Sequence, residues 1–126
     1  MAYKRWKAIT NETAVSLLEG SSIEIVCKLG ELMNDRGLNQ TELSRLTGIR
    51  QATINDIIHD RKHTMNKEHT MILMLVLKLT DINQLYEVRF NDIEEEIAIK
   101  KAHDYATLNG ITEEQENILA EHRKKD

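Results

Sequence analysis

The stretch Gln40–Ile58, QTELSRLTGIRQATINDII, holds two short helical patterns with Gly48 wedged between them. A helix of about two turns is marginal alone in water, because nucleation fixes several dihedrals before the first hydrogen bond forms. Splitting one good helix into two poor ones makes sense when the angle between the pieces matters. Leu43, Leu46, Ile49, Ile54 and Ile57 are expected to point into the wedge, so that packing sets a steep angle between two helices joined by a short turn. Such packing holds the outer face of the second helix away from the core. Winding at about 100° per residue from Ile54, that face carries Ala52, Asn55, Asp56 and His59, with Thr53 beside them and Gln51 at the amino end.

Outward from the wedge, helical spacing and caps predict five helices across residues 23–90. Ile25, Val26, Leu29, Leu32 and Met33 recur at three and four, a one-sided stripe from about Ser22 that "NDRG" stops, with Gly37 suited to the left-handed position. The second helix, about Gln40–Thr47, has Asn39 as its cap, and the third runs from about Gln51 to His59. Asn66 is placed to cap a fourth through Leu79, its aliphatic run filling the core, and Asp81 with Gln84 resembles a capping box for a fifth through about Phe90. Before these, residues 1–22 hold a basic arm (Lys4, Arg5, Trp6, Lys7) and a short helix around "AVSLL", capped by Asn11 or Thr13 and ended by Gly20. After them, residues 91–126 read as an acidic helical tail. One helix covers about 92–108, "NG" ends it, and Thr112 with Gln115 starts a short last one.

Composition supports this all-α reading. The 126 residues include no proline, five glycines and five aromatics, which suits helices better than turn-rich sheets. Hydrophobic residues at 40% and charged residues at 30% fit a single globular domain with appendages. Cys27 is the only cysteine, so no internal disulfide can form, and its place beside the apolar stripe marks it for core packing. The longest apolar run, Met71–Leu77, falls far short of the about 20 residues that span a bilayer. The amino terminus lacks the apolar block of a signal peptide. A cytoplasmic protein without membrane association is expected.

The net charge of −4 discourages a nucleic-acid partner only until its distribution is considered. Residues 23–90 carry nine positive and nine negative charges, whereas residues 91–126 carry five and ten, so the acid excess is in the tail. On the outer face of the third helix, amides can pair with adenine in the major groove, and the Ala52 methyl can meet that of thymine. Gln51, Ala52, Asn55 and His59 are the candidate base readers. Arg45, Arg50, Arg61, Lys62 and Lys67 surround them as candidate phosphate contacts, with Thr53. Amides that read and cations that hold are the division expected of a DNA reader.

The stretch resembles the helix-turn-helix of the lambda-repressor-like, or xenobiotic-response-element (Cro/CI-type), regulators. The resemblance rests on "LMNDRGLNQTELSRLTGI", then "QATINDII", then a capped fourth helix and a short fifth, over about residues 23–90. It implies a five-helix domain in which a glutamine opens each of the two helices. By that resemblance Gln40 contacts phosphate and buttresses Gln51, while Gln51, Ala52 and Asn55 face bases. Two positions depart from the family pattern: Asp60 stands where glycine commonly ends the third helix, and Asp56 puts a carboxylate on the outer face.

No glycine-rich phosphate loop, activated nucleophile or apolar carboxylate pair appears, so neither catalytic residues nor a cofactor are expected. His59 and His63 have a spacing that binds metal on a helix, but the helix is expected to end between them and nothing completes a site. No metal is expected. In the tail, Ile93, Ile97, Ala98, Ala102, Tyr105 and Leu108 form a narrow apolar seam. It is expected to pair with the same helix of a second chain, since an operator reader needs a symmetric dimer; folding back on the domain is the alternative. The expected function is a sequence-specific DNA-binding regulator, a dimeric repressor of the kind used by phages, prophages and mobile elements. The rival is a protein-interaction module of antitoxin or anti-repressor type, binding a partner regulator or toxin, with the acidic tail as a candidate contact.

Overall fold

The computed structural model describes residues 11–62 and 64–125; the basic arm with Trp6, and His63, lie outside the described residues. Asn11 caps helix α1 (Glu12–Glu19), its Oδ1 accepting from the N–H groups of Thr13 and Ala14 at 3.0 and 3.2 Å. Strand β1 (Ile23–Cys27) follows, then α2 (Leu29–Arg36), which Gly37 ends in the left-handed conformation at φ 66°. Asn39 and Glu42 form a reciprocal capping box at the start of α3 (Gln40–Thr47). Gly48, at φ 76°, turns the chain into α4 (Gln51–Ile58). Asn66 caps α5 (Lys67–Leu77), and a 3-10 turn (Ile82–Gln84) leads into strand β2 (Tyr86–Phe90). Two further helices complete the chain, α6 (Ile93–Asn109) and α7 (Glu113–Lys125).

Helices dominate, as the all-α reading expects, but two segments differ from it. The helix expected from Ser22 begins only at Leu29, and Ile23–Cys27 is a strand. The fifth helix expected through Phe90 is a single 3-10 turn, with the anticipated Asp81–Gln84 capping box, followed by a strand. The physical reason is pairing. β1 and β2 form a two-stranded sheet, and the N–H of Lys28 donates to the carbonyl of Leu85 at 2.7 Å. That bond joins the residue after β1 to the residue before β2, so the strands are antiparallel, with Cys27 opposite Tyr86 and Ile25 opposite Val88. Both segments are rich in β-branched or aromatic residues, which pack well on a pleated surface. Cys27 therefore sits on a strand rather than a helix, half-buried against the core.

Among the described residues the core lies between Leu29 and Leu85, with Leu29, Leu43, Ile54, Leu73, Leu77 and Leu85 almost completely withdrawn from solvent. Each such side chain contributes roughly 1.5–3 kcal/mol of transfer free energy. Two packing expectations need correction. Leu46, expected in the wedge, is 58% exposed. The fourth helix is not buried all round: Thr70, Leu73 and Leu77 face inward, while Met71 and Leu75 face out. That helix also stops at Leu77, because Lys78 takes the left-handed conformation at φ 60°.

The chain divides into two compact units, Met1–Arg89 and Phe90–Asp126. In the second, Asp92 caps α6 by accepting from the N–H of Glu94 at 3.0 Å, and Glu94, Glu95 and Glu96 favour its positive end. Thr112 and Gln115 make the expected reciprocal cap for α7, which at 13 residues is longer than anticipated. Among the described residues, no helix is long and apolar enough to cross a membrane.

Candidate nucleic-acid interface

The turn between α3 and α4 is tied by hydroxyl groups. Ser44 Oγ donates to the Ile49 carbonyl at 2.6 Å, and Thr47 Oγ1 donates to the Leu43 carbonyl at 2.8 Å while accepting from the Ile49 N–H at 3.1 Å. With Leu43, Ile49 and Ile54 buried on either side of this turn, the angle between α3 and α4 is set by packing and hydrogen bonding together. Arg50 stands at the amino end of α4 with no side-chain hydrogen bond capping the helix. The first-turn amides of α4 are therefore not taken by a capping side chain.

The wedge brings Gln40, Gln51, Ala52, Asn55, Asp56 and Arg61 to one shallow depression. Gln51 and Ala52 are exposed there; Asn55 and Asp56 are half-buried. Asn55 Nδ2 donates to Gln40 Oε1 at 3.3 Å, so α3 buttresses α4 through an amide pair. The partner differs from the one the family resemblance implies: Gln40 holds Asn55, and Gln51 is held instead by the Thr41 hydroxyl, which donates to its Oε1 at 3.3 Å. Thr41 is a contributor that the sequence reading does not single out. Its only signal is position, in the first turn of α3 beside Gln40.

Asp60 adopts φ 51°, the left-handed conformation that glycine takes without strain. The N–H of Asp60 donates to Ile57 and that of Arg61 to Asp56, at 3.2 and 3.0 Å, the paired bonds of a Schellman ending. This reversal returns Arg61 across the end of α4. Its guanidinium donates to Asn55 Oδ1 and, at 3.4 Å, pairs with Asp56 Oδ1. The Asp56 carboxylate thus has a cation beside it.

The other candidates are more scattered. Arg45, Arg50, Lys62 and Lys67 are exposed, and none is ion-paired with another described residue. His59 is exposed as the carboxy-terminal cap of α4. Thr53 does not line the depression; it lines an adjoining cavity with Cys27, Asp56, Asp60, Lys62, His69, Thr70 and Tyr86. Burial there pushes the Cys27 thiol above its ordinary value, against a smaller opposing contribution from a backbone hydrogen bond at Leu29. Burial also raises the Tyr86 phenol, against a hydrogen bond with Thr70. In α6, Ile93, Ile97, Tyr105 and Leu108 are exposed and Ala102 is half-buried. Among the described residues no group of three or more His, Cys, Asp or Glu side chains is arranged to hold a metal ion.

A family model described as the Cro/C1-type HTH DNA-binding domain matches residues 28–91. That span takes in α2 through β2 and every residue of the shallow depression. No curated protein and no solved structure matches the chain.

Proposed function

Because the chain belongs to the Cro/C1-type helix-turn-helix DNA-binding family and is a DNA-binding transcriptional regulator, we propose that it reads a specific operator as a homodimer, with α4 in the major groove. The observation that carries this reading is the convergence of Gln40, Gln51, Ala52 and Asn55 on one surface held away from the core. Amides at two points and a methyl between them suit adenine and thymine edges. Arg45, Arg50, Lys62 and Lys67 are the phosphate contacts, and the uncapped start of α4 can approach a phosphate as well. His59 reads at the far end of the helix.

We assign the second chain of the dimer to the seam of α6, where Ile97 is 47% and Leu108 86% exposed. A narrow apolar stripe bordered by carboxylates suits a self-complementary contact, and its acidity keeps it off DNA. Repression of the phage, prophage or mobile-element kind needs no more than this: a bound dimer excludes polymerase by occupying the operator. Contact of the acidic helices with a partner regulator or toxin is the second reading, supported by the same exposed seam. Selection of bound fragments from random DNA at near-physiological salt tests the proposal. Enrichment of a pseudo-palindrome with half-sites about one helical turn apart supports it. Recovery of unselected sequence by the intact chain removes operator reading and leaves the protein-contact role.

A further inference from the structure

The hydrogen bonds around Asn55 decide which way its amide points. A side-chain amide has two N–H hydrogens and an oxygen with two lone pairs, and either end can face a base if nothing else constrains it. Here Asn55 Nδ2 donates to Gln40 Oε1, and the Arg61 guanidinium donates to Asn55 Oδ1. A guanidinium has only donors, so it accepts no partner but the oxygen end of that amide. Arg61 is itself held by Asp56 Oδ1 at 3.4 Å and by its backbone bond to the Asp56 carbonyl at 3.0 Å. Once both neighbours are served, Asn55 keeps one N–H and one oxygen lone pair. That is the pair that N7 and the N6 amino group of adenine require.

We propose that Arg61 is a positioning residue for specificity: held by Asp56, it fixes the donor–acceptor polarity of Asn55 so that Asn55 selects adenine. The inference rests on the reading of Asn55 as a base contact. It assigns a purpose to both departures from the family pattern. The left-handed turn at Asp60 delivers Arg61 to the face, and the Asp56 carboxylate on that face holds it there. Arg61 then acts through Asn55, in contrast to Lys62 beside it.

Fragment selection with the full chain tests this, comparing wild type with Arg61→Ala, Arg61→Gln, Arg61→Lys, Asn55→Ala and the Asn55→Ala, Arg61→Ala double variant. The base facing Asn55 is the one whose preference Asn55→Ala abolishes. Wild type is expected to favour adenine there by about tenfold or more, the scale of one good paired contact. Arg61→Ala should cut that preference severalfold and leave the other positions unchanged. Arg61→Gln should behave like Ala, because an amide can serve either end of Asn55, whereas Arg61→Lys should keep adenine. In the Asn55→Ala background, loss of Arg61 should alter no base preference. Asp56→Asn, a milder change on the same path, should weaken the adenine preference in the same position. The proposal is overturned if Arg61→Ala lowers affinity for all sequences alike with the adenine preference intact, which would make Arg61 an ordinary phosphate contact while DNA reading stands. If wild type selects no sequence, the operator reading falls and this inference falls with it.

Discussion

Gln51 and Asn55 are both amides on α4, yet the free protein holds them differently. Asn55 is tied at both ends, to Gln40 and to Arg61, whereas Gln51 has a single bond from Thr41. Asn55 is thus preorganised, and Gln51 has more freedom to adjust to a base. Replacing either by Ala should weaken specific binding by roughly 1–3 kcal/mol and leave non-specific binding nearly intact. Neither side chain belongs to the core, so both variants should fold. Gln51→Ala should barely move the melting temperature, whereas Asn55→Ala should lower it by a few degrees through loss of the bonds to Gln40 and Arg61. Operator binding equal to wild type in both variants would show that α4 is not the reading helix. Lys62 offers the contrast. Lys62→Ala should weaken binding to every sequence and flatten the dependence of log affinity on log salt by about one unit; titrations at several salt concentrations measure it. The cavity residues titrate in a third way. Burial raises the Cys27 thiol above its ordinary 9.0 and the Tyr86 phenol above its ordinary 10.0. Each group then loses its proton in the unfolded chain before it does in the folded one. Stability from both is full below about pH 9 and declines as pH rises through and beyond the ordinary values. Denaturant midpoints at pH 7 and pH 10 should show the decline, and Cys27→Ala should reduce it.

At the scale of elements, the break between α3 and α4 depends on a backbone conformation more than on side chains. Gly48 holds φ 76° with nothing within 4 Å of where a Cβ would sit, so an alanine there meets no neighbour but strains its own backbone. Gly48→Ala should cost about 1 kcal/mol, lowering the melting temperature by roughly 4–8 °C for a domain of this size. The bonds of the Ser44 and Thr47 hydroxyls to the Ile49 backbone span the turn without using residue 48. The operator preferred in fragment selection should therefore be unchanged even as stability falls. A changed preference would mean that Gly48 sets the pose of α4 directly. Asp60, like Lys78, shows that the fold tolerates a left-handed residue without glycine; at Asp60 the Schellman bonds return the chain.

At the scale of the molecule, every buried hydrophobic residue among those described belongs to the first unit. A chain cut after Asn91 should therefore fold, with its helical signal and cooperative melting kept. If the α6 seam joins two copies, that truncated chain should sediment as a monomer and lose cooperative binding to paired half-sites. Ile97→Asp should do the same at full length, since it puts a charge in the middle of the seam. A truncated chain that remains dimeric at low micromolar concentration would place the dimer contact elsewhere.

What could be read without coordinates was local. Asn11, Asn39, Asn66 and Asp81 announced their caps, and Gly37, Gly48 and Gly110 their helix ends, because a cap or a left-handed turn involves residues only a few positions apart. The outward set of Ala52, Asn55 and Asp56 followed from helical winding around Ile54, which is wholly buried. The β1–β2 ribbon was not legible in this way. Its pairing joins Lys28 to Leu85 across more than half the domain, and the apolar spacing of each segment alone also fits a helix. Burial within a stripe was equally hidden: Leu46 and Leu75 have the right residue type and spacing, yet both stand exposed. The Arg61–Asn55–Gln40 chain lies in the same class. It needs the α3–α4 angle, the left-handed Asp60 and the return of the loop all at once, and those are set by packing among segments distant in sequence.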